Sequence, residues 1–155
     1  RSEGDLSWQR DRFRTHINAA KELNKPLIIH TRESKDDVIR ILKEEGAAQV
    51  GGVMHCFVED WKTAQAAMEL NFLISFSGIV TFKNAKDLQE VAKLVPLKKM
   101  LVETDSPYLA PVPFRGKTNQ PAYVRHVAEF ISDLKEINFD VFAKQTTNNF
   151  NKLFN

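Results

Sequence analysis

The sequence predicts an α/β protein built on a parallel sheet, and three observations carry the prediction. Short apolar runs alternate with stretches of helical periodicity at intervals of about 25 residues. Chain breakers such as Pro26, Gly46 and Pro96 stand where one segment gives way to the next. His30, His55 and Asp105 each follow closely on an apolar run, and in parallel α/β folds the C-terminal ends of strands face the site. Strand alternating with helix implies helices packed outside a parallel sheet. Two architectures satisfy this: an open doubly wound sheet, or an arc of a (β/α)8 barrel.

The first element is a helix, since Trp8, Phe13, Ile17, Ala20 and Leu23 recur at helical spacing. Pro26 closes it and opens the run Pro26-Leu-Ile-Ile29, which suits a strand buried on both faces. That run ends in His30-Thr-Arg32. Ser34 is placed to cap the next helix, with Asp37 at its third position, Val38, Ile39, Ile41 and Leu42 as its apolar side and Gly46 at its end. Val50-Gly-Gly-Val-Met54 is extended and leads into His55-Cys-Phe57. A helix over 60–70 follows, offering Trp61, Ala64, Ala67 and Met68 for burial. Phe72-Leu-Ile-Ser-Phe76 is the third strand. Asn84 is placed to cap a helix carrying Leu88, Val91 and Leu94, which Pro96 stops. Met100-Leu-Val102 is the fourth strand and ends in Glu103-Thr-Asp105-Ser-Pro107. Pro111, Pro113, Gly116 and Asn119 mark 108–120 as a loop, and two helices, 121–135 and 139–153, complete the pattern. The whole of 1–155 reads as a single domain without linkers or low-complexity segments.

Four strands do not close a barrel around a packed interior, and a complete barrel takes about 250 residues. On the barrel reading, 155 residues supply about half of one. The first helix has no strand before it, which suggests a sequence that starts mid-fold.

Composition narrows the function classes. Apolar residues at 43% and charged residues at 27% exclude disorder and fibrous structure. No apolar run approaches the roughly 20 residues of a bilayer span, and no signal peptide is visible. A single cysteine, Cys56, excludes an internal disulfide framework and fits a reducing, cytoplasmic compartment; a small buried thiol is its plain reading. A net charge of +2 provides no broad basic face, so any handling of nucleic acid rests on a local site.

Two imidazoles and a carboxylate converging on one rim, His30, His55 and Asp105, form a candidate divalent-metal site. His16 and His126 fall within helices and read as surface or packing residues. Arg32, two residues past His30, is placed to clamp a phosphate bidentately; the competing reading is a solvated loop residue or a partner for Glu33. Glu103 and Asp105 share one face by strand alternation. They are either two carboxylates of one site, or Glu103 is a buried residue that orients a neighbour. The loop from Arg115 to Asn119 offers cationic and amide donors to a phosphate, or is an ordinary surface loop. No glycine-rich phosphate loop is present. Cys56 adjoins His55 but points to the opposite face, which argues against a Cys/His nucleophilic pair.

Five ordered stretches, Pro26-Leu-Ile-Ile-His30-Thr-Arg32, Met54-His-Cys-Phe57, Ile74-Ser-Phe-Ser-Gly78, Leu101-Val-Glu-Thr-Asp-Ser-Pro-Tyr-Leu109 and Arg115-Gly-Lys-Thr-Asn-Gln-Pro-Ala-Tyr-Val124, resemble the successive signatures of the TatD family. These are metal-dependent deoxyribonucleases on a TIM-type barrel, related to the amidohydrolases. The Asn-Gln-Pro form of the last motif resembles the bacterial YcfH-type branch. The resemblance implies a (β/α)8 barrel of the metal-dependent hydrolase kind, of which this chain supplies about the last four strand–helix units, a C-terminal portion. It also implies that His30 and His55 are metal ligands, and that Asp105 binds metal and activates the attacking water. Arg32, Arg115 and Asn119 would contact substrate. One to three divalent ions (Mg, Mn or Zn) and a DNA or other phosphodiester substrate follow, with 3′–5′ exonuclease action; ligation through neutral imidazoles adds the expectation that activity falls as pH drops through about 6.

The departures are equally specific. The family's His-x-His pair and a metal-binding Glu from earlier strands are absent from this sequence. Thr118 stands where many members carry Arg, and Phe114 where others carry His or Tyr. The expectation is a weak or inactive isolated chain that needs an N-terminal half or self-association to cover its inner face. The alternatives are amide or ester hydrolysis by the same metal chemistry, and a non-catalytic half-barrel scaffold.

Overall fold

The computed structural model describes residues 5–155. Helix α1 (Ser7–Glu22) leads into strand β1 (Leu27–His30), and α2 (Lys35–Glu44) connects to β2 (Gly52–His55). Helix α3 (Trp61–Glu69) precedes β3 (Phe72–Phe76), and α4 (Lys86–Leu94) precedes β4 (Met100–Val102). A long irregular loop then leads to α5 (Val124–Leu134) and α6 (Phe139–Phe154).

The four strands form one parallel sheet in the order β1-β2-β3-β4. Every crossover therefore advances in the same direction, with no reversal of strand order, and the doubly wound alternative is not what forms. The register pairs Ile28 with Val53 and His30 with His55. Among the described residues no helix is long and apolar enough to cross a membrane.

The two faces of the sheet differ, as the two-residue period requires. Ile29, Met54, Phe72, Ile74, Phe76 and Met100 point outward into the main core, which the helices cover with Ile41, Leu42, Ala64, Val91, Val127 and Phe142. The inner face carries a smaller cluster, Val53, Leu73 and Leu101, with Leu153 packed against it. His55, Ser75 and Glu103 continue that face toward the C-terminal rim, along one open cleft.

The helix starts depart from expectation in three places. Ser34 sits at the N-cap of α2 but makes no capping bond; its hydroxyl accepts from the Arg32 amide instead. Asp37 is drawn into pairs with Arg10 and Arg40. Helix α4 starts after Ala85, so Asn84 lies outside it and does not cap. Residues 121–123 form a 3-10 turn before α5 begins, with Pro121 opening it.

Two burial expectations also fail. Trp8 of α1 and Leu23, just past its end, are 50% and 70% exposed, leaving Ile17 and Ala20 as that helix's buried residues. Strand β1 is not buried on both faces, because Ile28 is 66% exposed. It is an edge strand among the described residues, and nothing covers its inner face there.

Candidate metal centre

The rim at the C-terminal ends of the strands collects the chemistry. His30 and His55 end neighbouring strands in register, with ring centroids 5.9 Å apart. Glu103 and Asp105 follow β4 one strand beyond β3. One donor atom each from His55, Glu103 and Asp105 lies within 4.8 Å of the others, and each residue is half-buried. His30, which is exposed, stands beside this group.

His55 has a carboxylate at each ring nitrogen: Nδ1 is 2.7 Å from Glu103 Oε1, and Nε2 is 3.5 Å from Asp105 Oδ1. Two donors held about 2.1 Å from one tetrahedral ion lie about 3.4 Å apart, so His55 Nε2 and Asp105 Oδ1 stand at chelating separation. Two imidazoles on one tetrahedral ion have centroids about 5.3 Å apart, and His30 and His55, at 5.9 Å, stand a little wider than that. The donor set fits a divalent cation of the borderline kind.

Local backbone aims these groups. Asp105 adopts φ 59°, and Cys56, directly after His55, adopts φ 45°. Left-handed backbone is rare for residues with a Cβ and turns the chain sharply at the rim. The Cys56 amide then donates to Glu103 Oε1 at 3.1 Å.

Glu103 is the most constrained carboxylate of the three. The Ser75 hydroxyl donates to its Oε2 at 2.5 Å. Burial pushes the Glu103 carboxyl above the usual carboxylate range, and the Ser75 hydroxyl, His55 and the Cys56 amide oppose that rise. Cys56 is buried and free. Burial raises its thiol pKa; the contact with Ser77 Oγ at 3.2 Å works in the other direction, and Glu103 and Asp105 raise it further. A thiol held protonated is a poor nucleophile.

The substrate candidates divide. Arg32 is exposed on the same rim as His30. Arg115 lies with its guanidinium over the Phe82 ring, 4.3 Å from the centroid. Asn119 is 3% exposed, and its side chain is committed to protein backbone. Its amide donates to the carbonyls of Thr104 and Tyr108, and its Oδ1 accepts from the Gln120 amide. It ties down the turn that carries Asp105. His126 packs against Phe114 and Tyr123, which stack at 4.2 Å, and His16 is exposed on α1.

Ser75 is the site residue that the sequence reading passed over. A hydroxyl at the fourth position of a five-residue strand buried along its whole length needs a polar partner, and that requirement is its one available signal.

Comparison with known proteins points to metal-dependent hydrolases. The family model described as TatD related DNase matches residues 1–155. The uncharacterized metal-dependent hydrolase YcfH of Escherichia coli strain K12 is 55% identical over 146 residues, covering 94% of this chain and 55% of that protein. The uncharacterized metal-dependent hydrolase YabD of Bacillus subtilis strain 168 is 53% identical over 146 residues, covering 94% of this chain and 57% of that protein. The crystal structure of YJJV, a TatD homologue from Escherichia coli K12, superposes with a TM-score of 0.89 at 26% identity, covering 99% of this chain and 60% of that chain. The chain thus spans a little over half the length of these relatives, and a family match running over residues 1–155 lends no support to the narrower expectation of a C-terminal portion. The chain belongs to the TatD family.

Proposed function

We propose that this chain contributes His30, His55 and Asp105 to a divalent-cation centre that hydrolyses phosphodiester bonds in DNA, acting as a 3′–5′ deoxyribonuclease. The observation that carries the reading is the 3.5 Å separation of His55 Nε2 and Asp105 Oδ1, with the His30 ring beside them on the same rim. The family's description as TatD related DNase supports DNA as the substrate class. When bound, a divalent cation supplies a lowered pKa to its water and offsets negative charge on phosphoryl oxygens.

The chain's own residues have distinct tasks. His30 and His55 would present imidazole nitrogens to the cation. Asp105 would hold the cation and accept the proton of the attacking water. Arg32 and Arg115 orient the phosphate by charge-assisted hydrogen bonds. On this reading the four strand–helix units form an arc of a barrel, whose open inner face a further segment or a second copy would cover. The exposed inner-face side chain of Ile28 and the exposed Phe150 of α6, both lining the cleft that reaches His55, support that completion.

The test combines binding and turnover. Mn²⁺ titration of the chain, read by calorimetry, should show binding that His55→Ala and Asp105→Asn each weaken by at least about tenfold, a loss of about 1.4 kcal/mol or more. Turnover of 3′-labelled single-stranded DNA should be weak and abolished by a chelator. Mn²⁺ binding that ignores both substitutions, or DNA cleavage that survives chelation, sinks the proposal. Faster turnover of amide or ester substrates than of DNA overturns the substrate assignment alone.

A further inference from the structure

We propose that Glu103 is a positioning residue rather than a metal ligand: it accepts the Nδ1 proton of His55 and so leaves Nε2 bare and aimed at Asp105. The inference rests on the reading of His55 as a metal donor and deepens it.

The cluster of His55, Glu103 and Asp105 allows two roles for Glu103. A carboxylate that binds metal directly keeps an oxygen turned to the ion. Both Glu103 oxygens already have protein partners. Oε1 receives the Cys56 amide at 3.1 Å and stands 2.7 Å from His55 Nδ1. Oε2 receives the Ser75 hydroxyl. The residue also lies deeper than Asp105, with a side chain 19% exposed against 32%.

These contacts come from different strands. Ser75 belongs to β3, His55 ends β2, Cys56 follows it, and Glu103 follows β4. A carboxylate fixed by β2 and β3 is a rigid reference point for the imidazole between them. Neutral imidazole carries one proton on one of two nitrogens, and the acceptor at one nitrogen determines which. An acceptor 2.7 Å from Nδ1 selects the Nδ1–H form. The bare Nε2 is then the nitrogen facing Asp105 Oδ1 at 3.5 Å. A partner of this kind on the far side of a metal-binding imidazole typically changes metal affinity by about 10- to 100-fold.

The decisive measurement needs no metal. Long-range ¹H–¹⁵N correlation spectra at alkaline pH report the tautomer of each neutral histidine. The His55 signals are assigned by their loss in His55→Gln. The unsubstituted chain should show His55 in the Nδ1–H form. Glu103→Ala should shift it toward the Nε2–H form, and Glu103→Gln, whose amide oxygen still accepts, should retain much of the Nδ1–H form. Mn²⁺ affinity should fall about 10- to 100-fold in Glu103→Ala and less in Glu103→Gln. An Nε2–H tautomer in the unsubstituted chain overturns the proposal whether or not any variant folds. So does a tautomer unchanged in a folded Glu103→Ala chain. Because the tautomer is read without metal or DNA, the proposed function can fail while this result stands, and the reverse.

Discussion

The side-chain amide of Asn119 donates to the backbone carbonyl of Thr104 at 2.7 Å, one residue before Asp105. The same amide donates to Tyr108 at 2.7 Å, and the Asn119 backbone amide donates to Pro107 at 3.0 Å. A single buried side chain thus closes the turn that holds Asp105 in left-handed backbone. Asn119→Ala leaves two inward-facing carbonyls without their donor, which costs about 1–3 kcal/mol. Asn119→Asp is the harsher change, since a carboxylate then faces both carbonyls. Urea denaturation should rank the native chain above Asn119→Ala and Asn119→Asp, in that order. Equal midpoints for all three would show that the turn holds itself.

Asp60 and Lys35 pair between the N-termini of α3 and α2. Asp60 also caps α3, accepting from the Thr63 amide at 2.8 Å. The Lys35 ammonium first, then the Thr63 amide and hydroxyl, hold its carboxyl down at about 2. A carboxyl depressed on folding adds stability that is complete above its unfolded value near 3.9 and is lost as pH falls through about 2. Asp60→Asn keeps a capping oxygen but removes the charge, so its stability curve should be flatter than the native one between pH 4 and about 2. Asp60→Ala removes the cap as well and should cost about 1 kcal/mol at neutral pH. Chemical denaturation at several pH values checks both. An acid limb of unchanged slope in Asp60→Asn would contradict the assignment.

Lys135 reaches from the end of α5 to the carbonyls of Ala92, Lys93 and Val95, at 3.1, 2.7 and 2.9 Å. These carbonyls lie in the last turn of α4 and just beyond it. A cation at a helix C-terminus satisfies acceptors that the helix itself leaves open and opposes the negative end of its dipole. Lys135→Met preserves the aliphatic stem and removes every donor. The expected loss is about 1–3 kcal/mol, read as a lower urea midpoint with an unchanged slope. Lys135→Arg should recover part of it. A midpoint within error of the native chain would assign Lys135 to packing alone.

Much of the fold was legible because two of its signals are periodic. The apolar runs located all four strands within a few residues, and helical spacing located all six helices. Helix starts were less legible, because a capping bond depends on side-chain direction. Ser34 occupies the cap position and yet bonds to Arg32, while Asn84 falls one residue short of the cap at Ala85. Burial of Ile28 was misread for a related reason: an apolar run does not say whether its inner face meets a neighbour. At the site, strand ends pointed to His30, His55 and Asp105, since position along a strand is a one-dimensional fact. The embrace of Glu103 by Ser75 and Cys56 joins residues 28 and 47 positions apart. It depends on strand order and register, which a single sequence does not state. Asn119 likewise reads as a substrate contact, because 108–120 has the composition of an exposed loop, whereas the fold turns this one residue inward.

Gly78 controls how closely that loop approaches the sheet. It follows β3, and a Cβ placed on it would lie 1.9 Å from the Leu109 carbonyl oxygen and 2.9 Å from the Pro111 nitrogen. Both neighbours are backbone, so no side-chain rotation relieves the contact. The segment is also anchored by Thr81, whose hydroxyl accepts from the Val112 amide at 2.9 Å. Gly78→Ala must therefore push 109–111 outward, and with it the turn bearing Asp105. Overpacking of this kind costs about 2–3 kcal/mol, a fall in Tm of about 4–12 °C for a chain of this size. Gly46→Ala is the matching control, because Gly46 has open space but φ +64°, and a Cβ in left-handed backbone costs about 1–2 kcal/mol. Thermal unfolding should place Gly78→Ala below Gly46→Ala, and Gly78→Ala alone should weaken Mn²⁺ binding. If Gly46→Ala proved the more damaging of the two, close approach of the loop to β3 would not be what holds Asp105 in place.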